Sequence, residues 1–136
     1  MNLKKKEDSS DKELLKNIFF SSLRMADPVT KLRQLKFTKP PGRLFFVSVG
    51  KGSGRHAKAF KSNYECLADG LVVIPENEEC EDLGFKVFKA SHPVPSSSGL
   101  EASKYLTSEV KRLGRKDLLI FCISGGASAL LPYPPK

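Results

Sequence analysis

Leu44-Phe45-Phe46-Val47-Ser48-Val49-Gly50-Lys51-Gly52-Ser53-Gly54-Arg55 is the stretch that decides how the chain is read. Its first six residues are apolar or small and leave no polar face. Such a run is buried on both sides, as a central strand of a parallel sheet is. It runs straight into a glycine-rich turn, and a helical pattern follows. In parallel sheets, ligands bind where strands end and helices begin. Gly50, Gly52 and Gly54 let the backbone approach a bound group, and Lys51 sets a cation beside it. The first expectation is an anion-handling loop, most simply for phosphate.

Upstream of this stretch, Lys39-Pro40-Pro41-Gly42 signals a turn before a strand over Arg43–Val49. Asp27-Pro28 breaks an earlier helix, Asp11 to Met25, whose Leu14, Leu15, Ile18, Phe19 and Leu23 recur at helical spacing. Ser10 or Asp11 is its expected cap. Pro28 suits the first turn of a short helix through Leu35. Met1–Ser10 is polar and without period, so residues 1–11 are expected to form a disordered tail.

Downstream, Ser53 to about Leu67 reads as a helix with Ala57, Phe60, Tyr64 and Leu67 on one stripe. Asp69-Gly70 turns into a second strand, Leu71–Ile74, and an acidic loop follows to Leu83. Phe85–Ala90 is a third strand. A loop holding His92-Pro93-Val94-Pro95 leads to a helix capped by Ser97 or Ser98 and closed by Gly114. Asp117–Ile123 is a fourth strand, and Ser124–Ser128 is a second glycine loop. It opens a helix over Ala127–Leu131 that Pro132, Pro134 and Pro135 stop. This alternation predicts an α/β domain with a mostly parallel, Rossmann-like sheet flanked by helices.

The 136 residues make one domain at most, and 40% hydrophobic residues suffice for a core. There is no eighteen-residue apolar run and no apolar segment behind Lys4–Lys6, so neither a membrane span nor a secretory signal is expected. Cys66, Cys80 and Cys122 form no CxxC pair, which argues against a zinc site or disulfide framework and for a reducing cytoplasm. The net charge of +8 is uneven. Pro28–Tyr64 has nine Lys/Arg and no acid, whereas Glu65–Asp82 has seven acids and no base. The basic block contains the first glycine loop. An anion or nucleotide site is one reading of it, a small nucleic-acid-binding module another, and a solvated positive face the plainest. No aromatic residues interleave with the cations as single-strand binding requires, so nucleic acid ranks low.

Neither glycine loop carries a standard signature. G-x-G-x-x-G fails at Arg55, no Walker A loop occurs, and Ser124 lacks the G-x-S-x-G setting of a nucleophile elbow. What remains is chemistry of position. Gly50, Gly52 and Ser53 present N–H groups at a helix start, and Ser124, Gly125, Gly126 and Ser128 repeat the arrangement after another strand. Lys51 is the candidate catalytic or charge-neutralising cation. His92 and Arg55 are weaker candidates, and His56 is read as part of a solvated first helical turn.

Four blocks in order carry a resemblance: Val49–Arg55 with Ala57-Lys58-Ala59; Asp69–Val73; Ala90–Pro95 with Gly99-Leu100; and Asp117-Leu118-Leu119 through Ile123–Leu131. Together with Ala26-Asp27-Pro28, they resemble the N-terminal part of the class II glycerate 2-kinase family, whose members are often labelled hydroxypyruvate reductases. The resemblance spans about residues 12–135. It implies ATP-dependent, Mg²⁺-assisted conversion of D-glycerate to 2-phosphoglycerate in the cytoplasm. It also implies a Rossmann-like domain facing a second α/β domain, with the family's lysine at Lys51 and its phosphate loop at Ser124–Ser128. Ala127 departs from that loop's third glycine, and Ser96-Ser97 from the family's usual Asp-Glu. The chain is much shorter than family members. The resemblance therefore implies a partial N-terminal domain without the C-terminal MOFRL domain, inactive alone and needing a second polypeptide. An unpaired sheet edge with exposed apolar surface is expected with it.

Overall fold

The computed structural model describes residues 4–36, 38–64 and 69–133, with side chains described from Ser10 onward. Four parallel strands form one sheet in the order β3-β2-β1-β4: β1 is Leu44–Val49, β2 Asp69–Pro75, β3 Lys86–Ala90 and β4 Leu118–Ile123. The α/β fold with helices on both sheet faces is the one the alternating pattern predicts. β1 is one of the two interior strands and is buried along its whole length.

Side-chain alternation along β1 divides the core between two faces. Phe45, Val47 and Val49 pack with Leu71, Val73 and Ala90 beneath α4 (Ser97–Val110) and α5 (Ala127–Leu130), through Ala102, Leu106 and Leu130. Leu44 and Phe46 pack with Val72, Ile74 and Phe85 beneath α3 (Ser53–Asn63), through Ala57 and Phe60. Phe46 and Phe60 stack with ring centroids 4.1 Å apart. The β2–β3 connection has no helix. Cys80, Leu83 and Phe85 of that segment fill the α3-side core instead.

The chain moves outward through β1, β2 and β3, then crosses back through α4 to place β4 on the other side of β1. This reversal between β1 and β4 is the place where an open α/β sheet forms a ligand crevice.

Several expectations change. The first helix, α1, runs Lys4–Ala26, so no disordered tail precedes Asp11 over the described residues. Lysine and glutamate are good helix formers, and Ser9-Ser10 does not interrupt them. Asp27 ends α1 and caps α2 (Pro28–Gln34), its carboxylate accepting from the Val29 N–H at 3.3 Å. The apolar stripe of α1 is not core: Leu14, Leu15, Ile18, Phe19 and Leu23 are each more than half exposed. Ser96, rather than Ser97 or Ser98, caps α4 by accepting from the Gly99 N–H. β4 is an edge strand. Leu119, Phe121 and Ile123 are exposed, while Leu118, Ile120 and Cys122 turn toward the α3-side core. The exposed apolar edge thus matches expectation. Cys66, Leu67, Pro134 and Pro135 lie outside the described residues.

Candidate functional site

Both glycine loops emerge from the same end of the sheet, on adjacent strands. Val49 and Ile123 are register partners, so Gly50 and Ser124 start their turns side by side. A Cβ on Gly50 would come within 2.6 Å of the Ser124 carbonyl oxygen, and the φ of Gly50 is +118°. Only glycine meets both demands. Hydrogen bonds lace the loops together, three of them through backbone N–H groups. The Lys51 N–H donates to the Gly125 carbonyl at 2.9 Å, the Gly52 N–H to Ser124 Oγ at 3.0 Å, and the Ser124 N–H to the Val49 carbonyl at 2.9 Å.

These bonds redistribute the expected donors. The N–H groups of Lys51 and Gly52 are used between the loops, that of Gly50 on Val73, and that of Ser53 on Gly50. Among the described residues, those of Gly54, Arg55, Gly125, Gly126 and Ser128 have no protein acceptor. The open donors therefore sit one step further along each loop. Gly125 faces open space, and Ser128 is exposed. Gly126, with φ +89°, caps α5, and a Cβ there would meet His92 Nε2 at 3.0 Å. The His92 ring therefore lies against the second loop. Ala127 packs against the α4-side core, which gives the departure from glycine a role in packing.

Not every candidate faces the loops' open side. Ser53 is fully buried, and its hydroxyl donates to the Val73 carbonyl at 2.7 Å, so it fastens α3 to β2. Arg55 reaches away to Asp27, at 3.2 Å. His56, expected in solvent, is 3% exposed and lies beneath Gly52. Burial, and secondarily the charge of Arg55, holds its imidazole below the ordinary histidine range, with Asp27 opposing. Its spacing carries the signal: His56 lies four residues before Phe60 and three before Ala59, on the same helical face, and only its polarity points to solvent.

Lys51 is exposed and borders a hollow of about 310 Å³ with Gly54 and Arg55; Glu78, Glu79 and Glu81 form its opposite side. The acidic loop thus folds back toward the basic segment. Lys58 pairs with Glu81 at 2.5 Å, and Arg43 pairs with Asp69 and Glu109, each at 3.1 Å. These pairs offset part of the positive field on which a nucleic-acid reading rests. A larger hollow of about 570 Å³, lined by Phe20, Leu23 and Asp27, shares only Arg55 with this site and contains neither loop.

A family model described as a domain of unknown function, DUF4147, matches residues 14–136. The chain belongs to the DUF4147 family. Among similar proteins, a D-glycerate 2-kinase of Thermotoga maritima is 30% identical over 133 residues, covering 91% of this chain and 31% of that protein. An Agrobacterium vitis protein with the provisional name hydroxypyruvate reductase is 31% identical over 128 residues, covering 93% of this chain and 29% of its own length. The crystal structure of a glycerate kinase from Thermotoga maritima superposes with a TM-score of 0.74 at 28% identity, over 90% of this chain and 30% of that one. This DUF4147 chain therefore spans less than a third of these relatives. The family resemblance and the α/β fold both stand. No helix among the described residues is long and apolar enough to cross a membrane.

Proposed function

We propose that this chain supplies the phosphate-handling wall of a cytoplasmic glycerate 2-kinase site, acting on D-glycerate with ATP as donor. The observation that carries the reading is the pair of glycine loops locked side by side at the β1–β4 reversal, with Lys51 exposed on the first of them next to Gly54 and Arg55. Relatives named glycerate 2-kinase support the substrate class.

Phosphoryl transfer asks a protein mainly for positioning and charge stabilisation. The N–H groups of Gly125, Gly126 and Ser128 fit an oxyanion, and the Ser128 hydroxyl adds a donor. Lys51 supplies a mobile point charge to neutralise the transferring group. His92, against Gly126, borders the same loop. Among the described residues no group of three or more His, Cys, Asp or Glu is placed to hold a metal ion. Mg²⁺ accordingly fits this wall only as a partner of bound phosphates, where it would spread their charge.

These groups line one side only. Transfer also needs groups opposite, to orient donor and acceptor and exclude water. The second wall comes from a further α/β segment packed against the uncovered β4 edge, as a separate polypeptide where it is not continuous with this one. The test is ATP-dependent 2-phosphoglycerate formation. The chain alone should be inactive. It should gain turnover when mixed with the complementary part of the Thermotoga D-glycerate 2-kinase, and Lys51→Ala should abolish that gain. Robust turnover by the chain alone would sink the one-wall reading.

A further inference from the structure

His56 is the one buried side chain among the described residues with an unsatisfied polar atom: its Nε2 has no partner. The ring lies beneath the first glycine loop. Its backbone N–H donates to the Gly52 carbonyl at 3.0 Å, and a Cβ on Gly52 would lie 3.4 Å from Nε2 and 3.4 Å from Ser124 Oγ. Nε2 and the Ser124 hydroxyl therefore flank the same face of Gly52, where the two loops meet.

Hydrogen bonding at the other nitrogen identifies the tautomer. Ser48 Oγ donates its single proton to the Ser53 carbonyl at 3.1 Å. With that proton on Ser53, Ser48 accepts from His56 Nδ1, 3.4 Å away, and we assign the ring proton to Nδ1 on this network. Nε2 is left as a bare acceptor, and burial together with Arg55 favours this neutral form. Ser124 is poorly served in the complementary sense. Its Oγ accepts from the Gly52 N–H, but its proton reaches only the Val49 carbonyl, at 3.3 Å. That is long for a hydroxyl donor, whose bonds cluster at about 2.7–2.8 Å. The same carbonyl already accepts the Ser124 N–H at 2.9 Å. A weakly held donor and an empty acceptor thus share one junction.

We propose that His56 is a positioning residue of the two-loop site, with Nε2 taking the Ser124 hydroxyl proton when an oxyanion occupies the loops. The proton stays on oxygen; the Ser124 side chain, which does not bond Nε2 in the free chain, moves toward it and leaves the Val49 carbonyl. The new bond ties the Ser124–Gly126 turn to the first turn of α3. It sets the spacing between the open N–H groups of Gly54 and Arg55 and those of Gly125 and Gly126. His56 touches no ligand in this role, which rests on the reading of the loops as an oxyanion site.

The experiment is a titration of the whole chain with inorganic phosphate, followed by NMR at the His56 ring nitrogens and the loop amides. The free chain should show the neutral Nδ1–H tautomer. Phosphate should shift the Gly125 and Gly126 amides and move Nε2 upfield as it gains a hydrogen bond, and Ser124→Ala should abolish the Nε2 movement. His56→Gln, which keeps an acceptor at the Nε2 position, should retain phosphate affinity. His56→Asn, which keeps only the Nδ1 position, should lose about tenfold, equivalent to about 1.4 kcal/mol. An Nε2–H tautomer overturns the proposal. So do amide shifts with a static Nε2, which leave the oxyanion site standing. Unmoved loop amides overturn the site and this proposal together. The ring-nitrogen titration needs no substitution, so an unfolded variant does not decide the matter.

Discussion

Gly50 and Ser124, 74 positions apart, are in such close contact that a methyl group on Gly50 would overlap both the hydroxyl and the carbonyl of Ser124. This contact closes the two loops into one site. It also makes Gly50 the position where the smallest change has the largest structural effect.

Gly50→Ala should destabilise the chain by about 2–4 kcal/mol, combining a strained φ with steric overlap. Gly125→Ala is the control. A Cβ there meets nothing within 4 Å, and stability should change by no more than about 0.5 kcal/mol. Urea denaturation of the two variants checks the contrast. Equal losses would mean that the loops do not meet as described.

Lys51→Ala should separate binding from folding. The side chain is exposed, and the backbone N–H that bonds Gly125 is kept. Stability should hold within about 0.5 kcal/mol. Phosphate affinity should fall about ten- to a hundredfold, as expected for losing a charged hydrogen bond. Calorimetric titration measures the second quantity. Unchanged affinity would remove Lys51 from the site.

Stability should respond to pH in two steps. The imidazole of His56 is held below its usual value by burial and Arg55, so below about pH 6.5 the unfolded chain takes up a proton that the folded chain refuses. Stability is therefore complete above that pH and declines as pH falls through the folded-state value. His56→Gln should flatten this step. Glu109, lowered first by its bond from Arg43, and Asp117, lowered by the N–H groups of Gly114 and Arg43, bind protons more weakly when folded. Their contribution is lost only at lower pH, as it falls through their depressed values. Urea midpoints from pH 8 to 3 distinguish the steps.

The β4 edge should make the isolated chain associate. Leu119, Phe121 and Ile123 present apolar surface on a strand whose outer edge is unpaired, whereas the opposite edge strand, β3, carries Lys86 and Lys89. Lysine on an edge discourages strand pairing, and apolar edges invite it. The double variant Phe121→Lys, Ile123→Lys should lower the average mass measured by sedimentation toward that of one chain. An unchanged distribution would exclude this edge as the cause.

Much of the architecture was legible in the residues. Leu44–Val49 announced a strand buried on both faces, and the turn glycines and Pro28 marked where elements end. Fine placement was less legible. The stripe of α1 has correct helical spacing yet faces outward, because periodicity reports a shared face and not what covers it. Ser53 has the right position for a loop donor, but its hydroxyl turns inward to Val73. The basic block reads as a field until the acidic loop folds against it.

The sequence by itself determined the elements, the parallel α/β class and the two loops with their lysine, because these follow from local spacing and backbone preference. Only the tertiary structure decided that β4 lies beside β1, that Lys51 and Gly52 spend their N–H groups on the second loop, and that His56 is buried with one nitrogen unpaired. The reason is physical. Each of these depends on which distant strand supplies the neighbouring backbone, and no local pattern around Gly50 encodes the arrival of Ser124.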